Sequence, residues 1–275
     1  MPEIWRVLIT PPAHGAWNMA ADESILEHIG RGESRPTLRL YAWEPACLSL
    51  GHAQPYSDVD QQRLKDRGWE IVRRPTGGRA ILHTDELTYS VIGPADNPQL
   101  AGSILESYNR LACALLSAVR SLGVDARSNP LTTELGGGLH GSVNPVCFEV
   151  PSAYEITVAG KKLIGSAQAR RKEGVLQHGS LPLNGDLKRI TEALAFPDEA
   201  SRIEAAQRLL TRATTVEMAL GRVVTWEEAA RAFINAFQSE LGLSFEAGEL
   251  SEGESRRASE LVELKYDHPG WIRRV

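Results

Sequence analysis

Apolar positions fall into short runs whose period changes along the chain, and each change marks an element. Residues 4–9 form an apolar run closed by Pro11 and Pro12, which predicts a first strand. From Asn18 the period becomes helical: Met19, Ala21, Ile25, Leu26 and Ile29 share a face, Asp22 and Glu23 stand near the start where negative charge suits the helix dipole, and Gly30 closes the helix. Residues 38–43 and 47–51 alternate with period two around Glu44 and Pro45 and predict a strand pair. A short polar helix follows at 58–67, capped by Asp58 and stopped by Gly68, then a strand at 69–73, a turn with Gly77 and Gly78, and a strand at 86–93. From Ser103, Ile104, Leu105, Tyr108, Leu111, Ala112, Leu115, Val119 and Leu122 make a long amphipathic helix ending at Gly123.

The stretch 129–144 is glycine-rich, lacks apolar periodicity and reads as a loop. No Gly-Lys-Ser/Thr follows those glycines, so they do not make a phosphate-binding loop. Strand patterns return at 154–158, 162–170 and 175–183, close enough to predict an antiparallel meander. Beyond them the periodicity is helical at 187–195, 201–210, 225–241 and 254–264, with Thr225 and Glu228 spaced as a capping box. Strands interleaved with helices and followed by a helical tail predict an α+β, mixed α/β fold in a single domain over residues 1–275. No internal repeat is visible.

Composition narrows the classes. With 275 residues, 42% hydrophobic and 24% charged, the chain has the make-up of a globular protein able to bury a large core. No apolar run reaches the roughly 18 residues of a membrane span, and the amino terminus lacks a signal pattern, so a cytoplasmic protein is expected. The net charge of −5 argues against a generic nucleic-acid binder. Cys47, Cys113 and Cys147 are odd in number and far apart, which excludes a disulfide framework and a Cys-x-x-Cys metal knuckle. The seven histidines show no metal-binding spacing, so no metal is expected.

Three clusters could carry chemistry. Cys147 lies between the glycine-rich loop and the meander, where a thiol could be both reachable and held. A nucleophilic thiol needs a cation, a base or a helix start beside it, and Lys161 and Lys162 begin the next strand. The plain alternative for Cys147 is a buried small hydrophobe. Cys47, within an apolar run, reads as core; Cys113, on the less apolar side of its helix, reads as partly exposed. The second cluster is Arg73, Arg74, Gly77, Gly78, Arg79, Ala80 and His83, where paired glycines admit close approach of a ligand and arginines offer forks for phosphate or carboxylate. A solvated turn is the competing reading. The third is Gly165, Ser166, Ala167 and Gln168, small residues within a strand that mark close approach of a ligand or of another backbone. His83 and His178 read as structural.

RRPTGGRAILH, VCFEVPSAYEITVAGKKLIGSAQAR and LQHGSLPL, in that order and spacing, resemble the biotin/lipoate ligase-like superfamily, and within it the octanoyltransferases whose cysteine precedes their lysine. The similarity runs from about Asn18 to Leu183, with a weaker echo in the tail. The resemblance implies a biotin/lipoate protein ligase-like fold, with mixed and antiparallel sheets flanked by helices, a catalytic core over 31–242 and a helical tail over 243–275 packed on it. It implies that Cys147 is the acyl-thioester nucleophile and that Lys162 lowers its pKa, with Lys161 a solvated turn lysine. The residues from Arg73 to His83 and from Gly165 to Gln168 would line the acyl slot.

The implied reaction carries octanoyl from the phosphopantetheine of acyl carrier protein to Cys147, then to a lysine of a lipoyl domain such as the glycine-cleavage H protein, in lipoate biosynthesis. No cofactor, nucleic acid or membrane is implied, and a monomer is expected. The neighbouring alternatives are an ATP-dependent lipoate-protein ligase, a cysteine-dependent amidotransferase between lipoyl domains, and a non-catalytic acyl sensor. Acidic carriers facing an acidic chain require local basic clusters, with Arg73, Arg74, Arg79 and Arg170, Arg171, Lys172 as the candidates.

Overall fold

The computed structural model describes residues 2–130 and 154–275. Its elements are β1 (Glu3–Ile9), α1 (Gly15–Gly30), β2 (Thr37–Tyr41), β3 (Cys47–Leu50), α2 (Gln61–Asp66), β4 (Glu70–Arg73), β5 (Ile81–His83), β6 (Glu86–Gly93), α3 (Ile104–Ser121) and β7 (Ala126–Pro130). They continue with β8 (Tyr154–Val158), β9 (Lys161–Arg171), β10 (Gly174–Pro182), α4 (Glu199–Arg212), α5 (Val216–Leu220), α6 (Trp226–Leu241), β11 (Leu243–Gly248), α7 (Glu252–Leu261) and α8 (Pro269–Ile272). A large mixed sheet runs in the order β11-β1-β2-β6-β10-β9-β8-β7, and a small sheet in the order β4-β3-β5.

The two faces of the large sheet differ because strand side chains alternate. Leu38 and Leu40 of β2, Leu87, Tyr89 and Val91 of β6, and Leu181 of β10 join Leu111, Leu115 and Val119 of α3 and Phe233 and Phe237 of α6 in the main core. Among the intervening residues Arg39, Thr88, Ser90, His178 and Ser180 are polar and buried, while Ile92 and Leu176 pack against Ile25 and Leu26 of α1. α1 and the small sheet cover this second face. Burying a charged side chain under a helix requires a partner. Asp22 of α1 supplies it, meeting Arg39 Nη1 at 2.8 Å, Tyr41 Oη at 3.1 Å and Ser90 Oγ at 2.5 Å. Arg39 also donates to the Asn18 carbonyl and its side-chain oxygen. Burial alone would push the Asp22 carboxyl up, but Arg39, with help from His178 and Ser90, holds it below the ordinary carboxylate range.

Several expectations change in the folded chain. The runs at 38–43 and 47–51 do not pair with each other: β2 lies between β1 and β6, β3 lies between β4 and β5, and the Glu44-Pro45 corner carries the chain from one sheet to the other. α1 starts at Gly15, because Glu70 of β4 accepts from the Gly15 N–H at 2.9 Å and replaces a local cap. Asp22 therefore lies a turn further in and serves the Arg39 pair rather than the dipole. Asp60, not Asp58, caps α2 through the Arg63 N–H. The predicted helix at 187–195 is a single 3₁₀ run, Leu187–Glu192, and the predicted loop from 129 follows a strand that extends to Pro130. The tail expected as helical from 243 opens with β11, which pairs in parallel with β1 at the sheet edge. The capping box expected at Thr225/Glu228 forms, and a second one, not singled out from the sequence, forms at Ser103/Glu106.

Asp22→Ala leaves Arg39 charged and buried, so unfolding in urea at neutral pH should show a loss of about 3–5 kcal/mol. The carboxyl is depressed in the fold, so its stabilisation is complete above the unfolded pKa and disappears as pH falls through the folded one. Wild-type stability should therefore drop on acidification through the carboxylate range, with a shallower drop in Asp22→Asn.

Candidate functional site

A cleft of about 540 Å³, counting its mouth, lies between the polar face of the large sheet, α1 and the small sheet. Met19, Trp43 and Ile81 give it apolar walls, while Gly165, Ala167 and Gly179 keep one side low. Gly77 and Gly78 stand exposed at its mouth, and Tyr41, Ser49, Thr88, His178 and Ser180 supply polar atoms.

One network ties the small sheet to the large one beneath the cleft. His83 stacks on Trp43 at 3.9 Å between ring centres, and its two nitrogens meet Ser49 Oγ at 2.8 Å and Glu86 Oε1 at 2.6 Å. Trp43 Nε1 donates to Thr88 Oγ1, which donates in turn to Glu86. His178 meets Thr76 Oγ1 at 2.6 Å through Nε2, joining the turn after β4 to β10. Burial lowers the His178 pKa, the nearby Arg74 and His83 lower it further, and Asp22 opposes them.

Lys162 reaches this face through an irregularity. β8 and β9 pair Thr157 with Lys162 but Ile156 with Ile164, so Leu163 is an extra residue. A one-residue bulge reverses the alternation, which turns Lys162 from the core side to the face shared by Gly165 and Ala167. Leu163 and Ile164, adjacent in sequence, are both in the core as a result. Lys162 is buried, and its chain lies over Gly165: a Cβ there would stand 3.1 Å from Lys162 Cε and 3.6 Å from Nζ. A glycine at 165 spares the lysine that tight contact.

The residues singled out from sequence separate into three groups. Gly77, Gly78, His83, Gly165, Ala167 and Arg74 border the cleft. The arginines do not act as ligand forks, however. Arg74 donates to the carbonyls of Ser49, Gly77 and Arg79, and Arg73 to those of Gly51, Gln54 and Ile272. A guanidinium can brace a loop as readily as it binds a phosphate, because backbone carbonyls present the same acceptor geometry. The brace is needed where the turn crosses β3: a Cβ on Gly51 would sit 1.9 Å from the Gly78 carbonyl oxygen.

A second group points elsewhere. Ala80 is in the core under the small sheet. Ser166 and Gln168 lie on the opposite face of β9, where Ser166 Oγ meets Tyr89 Oη at 2.6 Å and Gln168 contacts Ser107 of α3 and Gln177. Burial pushes the Tyr89 phenol up to about 12. Lys161 donates to the Leu210 carbonyl at 2.7 Å, so it is anchored rather than solvated. Arg170 is engaged by Leu100, Ser103, Ser107 and Gln168, which leaves the exposed Arg171 and Lys172 as the basic tip of that hairpin. Cys47 is fully buried with its thiol pushed up by burial, and Cys113 is exposed.

Cys147 lies outside the described residues. Met19, Tyr41, Trp43, Ser49, Thr88 and Ser180 escaped the sequence reading, although polar residues at every second position of otherwise buried strands were a signal. Among the described residues no group of three or more His, Cys, Asp or Glu side chains could hold a metal, and no helix is long and apolar enough to cross a membrane.

A family model described as the lipoyl protein ligase A/B catalytic domain matches residues 14–238. Curated relatives named octanoyltransferase LipM from Exiguobacterium sibiricum and Moorella thermoacetica are 39% and 42% identical, covering 97% and 99% of this chain and 97% and 98% of their own lengths. A bipartite lipoate protein ligase from Thermoplasma acidophilum, described with its E2 lipoyl domain, superposes with a TM-score of 0.80 at 26% identity, over 98% of this chain and 96% of its own. A lipoate-protein ligase A bound with ATP gives 0.79 at 25% identity, over 99% of each chain.

Arg74→Ala removes a buried brace with charge-assisted hydrogen bonds to three carbonyls and should cost about 3 kcal/mol or more in thermal unfolding. The Arg79 side chain makes no hydrogen bond or ion pair among the described residues, and Arg79→Ala should stay within about 0.5 kcal/mol of wild type. Equal, small effects would mean that Arg74 is not a brace.

Proposed function

The chain belongs to the lipoyl protein ligase A/B catalytic-domain family, and from that premise we propose that it is an octanoyltransferase of lipoate biosynthesis that works through a cysteine thioester. The observation that carries the reading is the 39–42% identity, over nearly the whole chain, to proteins named octanoyltransferase LipM, against 25–26% for the ligases it superposes on. A cleft with apolar walls and a low, small-residue side suits an alkyl chain, and a buried lysine at its edge suits acyl chemistry.

In the first half-reaction the Cys147 thiolate attacks the thioester carbonyl of octanoyl-acyl carrier protein. The new C–S bond forms, the bond to the phosphopantetheine sulfur breaks, and that sulfur leaves as a thiolate and takes up a proton. In the second, the neutral ε-amine of a lipoyl-domain lysine attacks the Cys147 thioester. The C–N bond forms, the Cys147 C–S bond breaks, and the amine proton passes to the departing thiolate. The ammonium of Lys162 stabilises the Cys147 thiolate and the oxyanion of each tetrahedral intermediate. The acyl group arrives already activated, so neither ATP nor a resident cofactor enters this scheme.

The partners follow from the same reading. The Thermoplasma acidophilum ligase is described with an E2 lipoyl domain, which supports a lipoyl domain as acceptor here. Acyl carrier protein, as donor, would meet a chain of net charge −5, so local basic groups such as the exposed Arg171 and Lys172 and the partly exposed Arg79 would have to favour the encounter.

Incubation with octanoyl-acyl carrier protein and no ATP should add one octanoyl mass to the protein, removable by hydroxylamine and absent from Cys147→Ser. Absence of the adduct, combined with ATP-dependent adenylate formation from free octanoate, would establish a ligase instead. Lys162→Ala should slow loading and move the acidic limb of its pH profile upward, since removing a cation raises the thiol pKa. An unchanged profile would remove Lys162 from that role.

A further inference from the structure

Two buried side-chain atoms in the cleft have no hydrogen-bond partner among the described residues: His178 Nδ1 and Ser180 Oγ. They are two positions apart on β10, so both face the cleft side of the sheet. His178 Nδ1 has an electrostatic neighbour, the Asp22 carboxylate at 3.6 Å. Ser180 has none among the described residues. It is 1% exposed, and a buried hydroxyl without a partner costs about 1–3 kcal/mol.

Among the described residues, neither cross-strand neighbour of Ser180 pairs with its hydroxyl. Its cross-strand neighbour on β6 is Thr88, whose hydroxyl is already engaged by Trp43 and Glu86. Its neighbour on β9 is Gly165, which has no side chain and carries the Lys162 chain above it. Ser180 and Lys162 thus flank the same glycine on the same face. A ligand that lies along Ala167 and Gly165 brings its polar end between a hydroxyl and an ammonium.

We propose that Ser180 Oγ binds substrate, donating its hydrogen to the carbonyl oxygen of the acyl group held in the cleft. The hydroxyl orients that carbonyl on the Lys162 side, and the hydrogen bond strengthens when the oxygen becomes an oxyanion. This rests on the reading of the cleft as the acyl site. It adds a carbonyl donor supplied by the sheet itself, in place from the outset because β6, β9 and β10 fix the position of Ser180.

Two measurements test it on the full chain. Ser180→Ala should melt at or slightly above the wild-type temperature, because an unpartnered hydroxyl is removed, while its single-turnover loading by octanoyl-acyl carrier protein falls about tenfold to a hundredfold. Ser180→Thr keeps the hydroxyl and should recover most of the loading rate. Calorimetric titration with octanamide, which has the carbonyl but no thioester, should show about tenfold weaker binding to Ser180→Ala. Wild-type loading and octanamide affinity in Ser180→Ala overturn the proposal. So does a lowered melting temperature that accounts for the loss, since the hydroxyl would then be structural. If wild type does not load but binds octanamide in a Ser180-dependent way, the transferase reading fails and the carbonyl contact stands.

Discussion

A salt bridge that cannot be solvated governs this architecture. Arg39 lies at the centre of the large sheet, on a face that a helix must cover, and its charge is tolerable there only because Asp22 of α1 meets it. That pair sets where α1 sits. Once α1 is placed, Tyr41, Ser90 and His178 find their partners around the same carboxylate, and Met19 from the preceding turn becomes a wall of the cleft. The polar face of the sheet and the apolar cleft are therefore parts of one arrangement.

The cleft is made by omission as much as by placement. Gly165 keeps the Lys162 chain free of a tight contact, and the extra residue Leu163 turns the lysine to that side. Gly51, just past β3, lacks the Cβ that would strike the Gly78 carbonyl, so the turn can pass there, and Arg74 holds it by its carbonyls. Loop braces of this kind are chemically indistinguishable from anion sites in sequence. An arginine beside two glycines advertises a fork but does not say which acceptor fills it.

The same fold serves ligases and transferases, and the fold by itself does not choose between them. The neighbours that share the architecture at 25–26% identity include a ligase bound with ATP, whereas the relatives at 39–42% identity are named octanoyltransferases. What separates the two chemistries is how the acyl group is activated. A thioester donor arrives activated and requires only a nucleophile and charge stabilisation, the roles proposed for Cys147 and Lys162.

Periodicity alone placed β1, α1, β6, α3, the meander β8–β10 and α6 close to their observed bounds, because each has an apolar pattern and its own end signals, such as Gly123 after α3 and the capping box at Thr225. Motif order pointed to the family and to Gly165, Lys162 and the Gly77-Gly78 turn. The three-residue β5 carries too few residues to register a period, and β11, of which only Leu243 is buried, has little apolar pattern to register. The split of β2 and β3 between two sheets depends on partners distant in sequence, and so does the start of α1 at a glutamate from β4. The roles of Arg73, Arg74 and Gln168 were decided by which acceptor or face lay within reach. Sequence encodes local period and residue chemistry; the direction in which a side chain points past a bulge, and the acceptor it meets there, exist only after strands from separate parts of the chain have been brought into register.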